Sequence, residues 1–158
     1  MDKKEEVKAL TFLVREKGKL LNEIVDFTNR QTKFIESEDM NKLQNVIEKK
    51  QRVIDRVDRI DKGFSKQFDG IKKKYNIKEI SEIDVDRDVL LELKEETKKV
   101  YELLNDIKKI EAKNKDIMKE NLDKVKAKVK SVRHGKKITS GYYKKSEQNY
   151  GYFIDKNK

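Results

Sequence analysis

The chain has 158 residues, of which 35% are hydrophobic and 44% are charged, and its formal net charge at pH 7 is +10. So little apolar material excludes a thick globular core, and no apolar run approaches the ~20 residues that a membrane span needs. The absence of cysteine and the presence of a single histidine, His134, exclude disulfides, thiolate metal sites and histidine clusters.

The composition favours long helices, because the chain has no proline and only six glycines to end them. The first helix is predicted over residues 3–36. Its apolar side chains recur at steps of three and four, which collects them on one face: Leu10, Leu13, Leu20, Leu21, Ile24, Phe27 and Phe34.

Residues 37–39 predict a tight turn between two helices. Ser37 can accept a hydrogen bond from a free amide, and Glu38 and Asp39 suit the positive end of a new helix. The second helix is predicted over residues 38–75, with a near-heptad apolar stripe: Leu43, Ile47, Ile54, Val57, Phe64, Phe68 and Ile71. Residues 76–86 lack a long period and are predicted to form a connector.

A third long helix is predicted over residues 86–132. At ~1.5 Å per residue it spans roughly 70 Å, so part of it should extend beyond the hairpin. The predicted fold is all-α: a long antiparallel helical hairpin plus a long third helix, in a three-helix coiled-coil-like bundle over residues 1–133. Residues 134–158 have no helical period and are predicted to be a flexible basic and aromatic tail.

The positive charge leaves a polyanion partner open, but most of it favours ordinary solubilisation. Lysine and arginine alternate with acids through most of the chain, as on a solvated helical surface. The tail combines lysines with aromatics that could stack on nucleic-acid bases, dock on a protein, or do neither: Tyr142, Tyr143, Tyr150, Tyr152 and Phe153.

No catalytic or metal site is predicted. Asp84, Asp86, Asp88 and Glu95 match four positions of a calcium loop, yet Val89 stands where that loop needs glycine, so capping of the third helix explains the acids better. We expect no enzyme activity, no cofactor and no small-molecule substrate.

Two asparagines, Asn114 and Asn121, lie seven residues apart beside the apolar stripe of the third helix. Two interpretations are open: they are hydrated boundary residues, or they form hydrogen bonds to an incoming partner helix.

The arrangement resembles the FlgN family of flagellar export chaperones. The similar stretches are FIESEDMNKLQNVIEKKQRVIDRVDRID, with an acidic turn and a lysine-rich arm, and LLNDIKKIEAKNKDIMKENLDKVK, with asparagines in the last helix. The resemblance implies a cytoplasmic chaperone that binds C-terminal helical segments of hook-associated (hook–filament junction) proteins and delivers them to the flagellar export apparatus. It also implies a partner-binding surface on the third helix: Leu104, Ile107, Ile110, Asn114, Ile117, Met118, Asn121, Leu122 and Val125.

Three alternatives remain beside this function. The related FliT type of chaperone has a similar organisation, and the sequence does not separate the two. A nucleic-acid-associated helical protein would bind with steep salt dependence, although the interleaved charges argue against it. A self-associating coiled coil would pair its third helix with itself, whereas we expect a monomer or a weak dimer.

Overall fold

The computed structural model describes residues 1–132, and in these residues it confirms the all-α fold class. Three long helices follow one another: α1 (Lys3–Glu36), α2 (Met40–Tyr75) and α3 (Arg87–Val132). A short 3-10 turn, Ile80–Glu82, lies between α2 and α3. The tail predicted over residues 134–158 lies outside the described residues.

The end of α1 is a complete Schellman motif without glycine. The Glu38 amide donates to the Ile35 carbonyl at 3.2 Å, and the Asp39 amide donates to the Phe34 carbonyl at 3.0 Å. Glu38 therefore takes the left-handed position, with φ of 58°. Glycine would adopt this conformation at lower cost.

The start of α2 is capped by Asp39, whose carboxylate accepts a hydrogen bond from the Lys42 amide at 3.1 Å. The prediction that Ser37 accepts a hydrogen bond from a free amide at this turn was wrong. Ser37 is the C-cap residue of α1, and its hydroxyl donates to the Phe34 carbonyl. Because the Schellman motif uses Ser37 and Glu38, α2 starts at Met40 rather than at the expected residue 38.

The central helix of the bundle is α1, which packs against α2 on one side and α3 on the other. The tight turn makes α2 antiparallel to α1, so that Lys74 near the end of α2 pairs with Glu6 at 2.7 Å. In contrast, α3 runs parallel to α1. Its residues 92 and 121 lie beside residues 15 and 35 of α1.

The core is a narrow apolar seam that follows α1. The main cluster is contiguous and contains these buried side chains: Val7, Leu10, Val14, Leu20, Leu21, Ile24, Val53, Ile54, Val57, Ile71, Ile83, Val89, Leu93, Val100 and Ile107. Three more buried apolar residues lie nearer the hairpin turn and outside that cluster: Ile35, Leu43 and Val46. Polar side chains separate the two regions.

Candidate partner-binding surface

The nine residues expected to bind a partner all lie on one face of α3, but their exposure differs. Ile107 and Asn114 are buried, with 0% and 1% of their surface exposed. The other seven are half-buried: Leu104, Ile110, Ile117, Met118, Asn121, Leu122 and Val125. The structure therefore brings these residues into one continuous stripe, of which only part can meet another molecule.

The end of this stripe nearer the connector borders a groove of about 250 Å³ between α2 and α3. Leu104 lines it together with Phe64 of α2 and Tyr101 of α3, and α1 forms its floor. Tyr101 is 63% exposed. Since the groove is open and largely apolar, this end of the stripe remains accessible.

Asn114 and Asn121 of α3 both form hydrogen bonds to α1. The Asn114 amide donates to the Thr28 carbonyl at 3.2 Å, and its oxygen accepts from the Thr32 hydroxyl. The Asn121 amide donates to the Ile35 carbonyl at 3.1 Å, in the last turn of α1. Asn114 is thus not a hydrated boundary residue, and the two amides fix the register of α3 against α1.

Beside Asn114, a buried charged cluster joins all three helices. The Lys50 ammonium on α2 donates to the Gln31 side chain of α1 at 2.8 Å and to the Glu111 carboxylate of α3. Lys50 has 0% of its surface exposed, and Gln31 and Glu111 have 5% and 4%. Burial lowers the pKa of Lys50, while the charge and hydrogen bond of Glu111 oppose that effect. This cluster and the asparagine bonds form a polar layer across the bundle.

Sequence reasoning missed this layer, although the heptad spacing contained a signal. Lys50 occupies a core position in a run of steps of three and four, Leu43, Val46, Lys50, Val53 and Val57, and Glu111 does so between Ile107 and Asn114. A charged residue at such a position needs a buried partner. The lysine-rich arm of α2 otherwise resembles an ordinary solvated surface.

Beyond the polar layer, the hairpin turn contributes apolar side chains to the same surface. Ile35, Met40 and Leu43 line a small crevice with Met118 and Leu122 of α3. These three hairpin residues were not among the expected site residues. Ile35 and Leu43 are buried in this crevice, so only the half-buried Met40 can join α3 in the candidate surface.

The last part of α3 continues past this crevice. Ten further residues, 123–132, remain helical and add about 15 Å to the length of the helix. Val125 and Val129 are half-buried in this part and continue the apolar stripe. The stripe therefore reaches beyond the end of α1.

The described part of the chain gives no sign of other chemistry. Within residues 1–132, no group of three or more histidine, cysteine, aspartate or glutamate side chains could hold a metal ion. None of the helices in that range is long and apolar enough to cross a membrane. His134 lies outside these residues.

The fold is a helical hairpin with a long third helix that carries a half-buried apolar stripe. The family model described as FlgN protein matches residues 1–150, and the chain belongs to the FlgN family, whose members are flagellar export chaperones. No curated protein and no solved structure matches the chain significantly.

Proposed function

We propose that this chain is a flagellar type III export chaperone that binds the C-terminal helical segments of hook–filament junction proteins. It prevents their premature assembly in the cytoplasm and presents them to the flagellar export apparatus. It works as a monomer or weak dimer, without a cofactor. The observation that carries the proposal is a half-exposed apolar stripe on the last helix of a FlgN-family chain.

The contact is made by the part of the stripe that lies beside and beyond the hairpin turn. Ile117, Met118, Leu122 and Val125 are half-buried there and present apolar surface at the spacing that an amphipathic partner helix covers. Met118 adds an unbranched, polarisable side chain that adapts to different partners. Leu104, Ile110 and Asn121 extend the contact, and Ile107 and Asn114 support it from beneath.

Such a contact explains how a chaperone without catalysis prevents assembly. The segment that a subunit uses to join its neighbours is apolar on one face, and covering that face removes the assembly surface. Binding is reversible, because a single helix on a narrow apolar stripe is held by non-covalent contacts alone. Delivery to the export apparatus requires that release.

The test is co-purification of a purified junction protein with the wild type and with two variants, Ile117→Asp and Leu122→Asp. Each substitution places a carboxylate in the apolar contact, and we expect each to weaken binding by at least about 30-fold, the effect of a typical hot-spot residue. Ala127→Asp is the matched control, because Ala127 is exposed on the far side of the same helix.

Circular dichroism shows whether the variants remain folded. Folded variants that bind the junction protein as well as the wild type does would refute the proposed surface. A molecular mass that doubles with concentration and a stripe that is buried in the dimer would instead favour a self-associating coiled coil.

A further inference from the structure

Five exposed lysines form a row along α3, which we call the basic edge: Lys108, Lys115, Lys119, Lys126 and Lys130. They are separated by seven, four, seven and four residues. At about 100° per residue, this spacing places all five within an arc of about 60° on the helix. The basic edge is therefore a straight feature about six turns long.

The basic edge contains no acids, whereas the rest of the exposed surface of this part of α3 carries both charges. Between residues 108 and 130, no aspartate or glutamate falls within the arc of the basic edge. The exposed acids Asp116, Glu120 and Asp123 lie about 60–120° around the helix from Lys108, on a side that also carries Lys109 and Lys113. A merely solubilising surface has no need of an acid-free lysine row, because alternating charges serve solubility equally well.

The basic edge lies directly beside the apolar stripe. Leu122 and Val129 are about 40–60° from Lys108 in the opposite direction to the acids, and both are half-buried. In a coiled coil, charged residues flank the apolar seam, and their charge selects the partner helix. The basic edge lies beside the apolar stripe in the same way.

We propose that the occupant of the stripe is an amphipathic helix whose apolar face is bordered, on the side that meets the basic edge, by aspartate and glutamate. This inference rests on the proposed function, and it adds the chemistry that distinguishes a cognate segment from other amphipathic helices. Acids on that border pair with the lysines and increase the rate of association. A lysine border would be repelled.

This occupant fits the surface better than nucleic acid or a bilayer does. A phosphodiester backbone would neutralise the lysines and leave the half-exposed Leu122 and Val129 uncovered. A bilayer surface needs a free apolar face, whereas Met118 and Leu122 already pack in part against the hairpin turn.

The test uses the full chain and two synthetic amphipathic peptides with identical length and apolar residues. One peptide carries glutamate along one border of its apolar face, and the other carries lysine at the same positions. Fluorescence anisotropy at low salt should show binding of the glutamate peptide that is at least about tenfold tighter, and the difference should shrink as salt rises.

Charge reversal locates the effect. Lys108→Glu combined with Lys119→Glu should weaken binding of the glutamate peptide by about tenfold, since each reversal turns a pairing into a repulsion. The matched control is Lys98→Glu combined with Lys109→Glu. That pair has the same spacing and charge change and lies on the acidic side of α3, so it should change binding less than about twofold.

Four outcomes would overturn the inference: equal binding of the two peptides, binding of neither, an equal effect of the control pair, or tighter binding of an oligonucleotide or anionic vesicles than of the glutamate peptide. Failure of the proposed function is seen separately. If junction proteins bind the chain but the two peptides bind equally well, the role of the basic edge is refuted and the chaperone function is not.

Discussion

Replacing Lys50 by methionine removes the cation at the centre of the polar layer while keeping the length of the side chain. The Glu111 carboxylate and the Gln31 oxygen then lose a donor at positions that are 4% and 5% exposed. Breaking a buried pair in this way costs about 3–5 kcal/mol, because the remaining charge keeps its desolvation penalty. We expect the thermal midpoint to fall by roughly 10 °C or more.

A second variant separates the loss of the pair from the loss of packing. Lys50→Met combined with Glu111→Met replaces both charges with apolar side chains of similar size. Buried pairs exchanged in this way are often neutral or stabilising, so the double variant should unfold within about 1 kcal/mol of the wild type or above it. Lys49→Met is the control, since Lys49 is exposed and should change stability by less than about 0.5 kcal/mol.

Urea unfolding followed by circular dichroism measures all four proteins. A Lys50→Met variant that loses less than about 1 kcal/mol would contradict a buried pair, because the Glu111 carboxylate could not then be left unpaired in the interior. A double variant that is about 3 kcal/mol or more less stable than the wild type would show that the layer contributes stability through its charges.

Three further results are expected. Glu38→Gly should raise stability by about 0.5–1 kcal/mol in thermal unfolding, because the left-handed φ of 58° suits glycine; a lower midpoint would contradict this. Asn114→Ala should cost about 1–3 kcal/mol in urea unfolding, because it removes the hydrogen bonds of a buried amide to the Thr28 carbonyl and the Thr32 hydroxyl, whereas Asn105→Ala at an exposed position should be nearly neutral. Backbone amides of Glu79 and Lys78 hold the pKa of Glu82 below its usual 4.5, so the advantage of the wild type over Glu82→Gln should be present near neutral pH and lost as pH falls below 4.5. A constant difference between these two proteins across that pH range would contradict the assignment.

The fold class could be predicted because its signals are local. Steps of three and four between apolar residues predict each helix, and the lack of proline lets the pattern run on. The tight turn was recognisable from Ser37, Glu38 and Asp39, which all suit a helix start. Asp39 is the N-cap of α2 because Glu38 before it takes the left-handed conformation. Residue preferences do not indicate that conformation, since glutamate rarely adopts it.

The polar layer could not be predicted in the same way, because its partners are distant in the sequence. Lys50 and Glu111 are 61 residues apart, and their contact depends on how α2 and α3 lie around α1. Periodicity placed Asn114 on the core-facing stripe but did not identify Thr28 and Thr32 as its partners. Local spacing thus locates a buried polar residue but does not identify its hydrogen-bond partner.

The binding surface itself stays a prediction, and the structure narrows it. The contact of Ile35, Met40 and Leu43 with α3 could not be predicted from periodicity, because it depends on the return of the chain at the hairpin turn. Ile107 lies in the main core and can act only as support. The accessible part is therefore shorter than the stripe seen in the sequence, and Met40 of the hairpin turn borders it.

The most direct test of the account is calorimetric titration of the full chain with a purified hook–filament junction protein, intact and lacking its C-terminal helical segment. If the chain is a chaperone for these subunits, the intact protein binds saturably and one to one, and the shortened protein does not bind. Binding that survives removal of the segment, or the absence of binding to the intact protein, would contradict the proposal that this chain is a chaperone for these subunits.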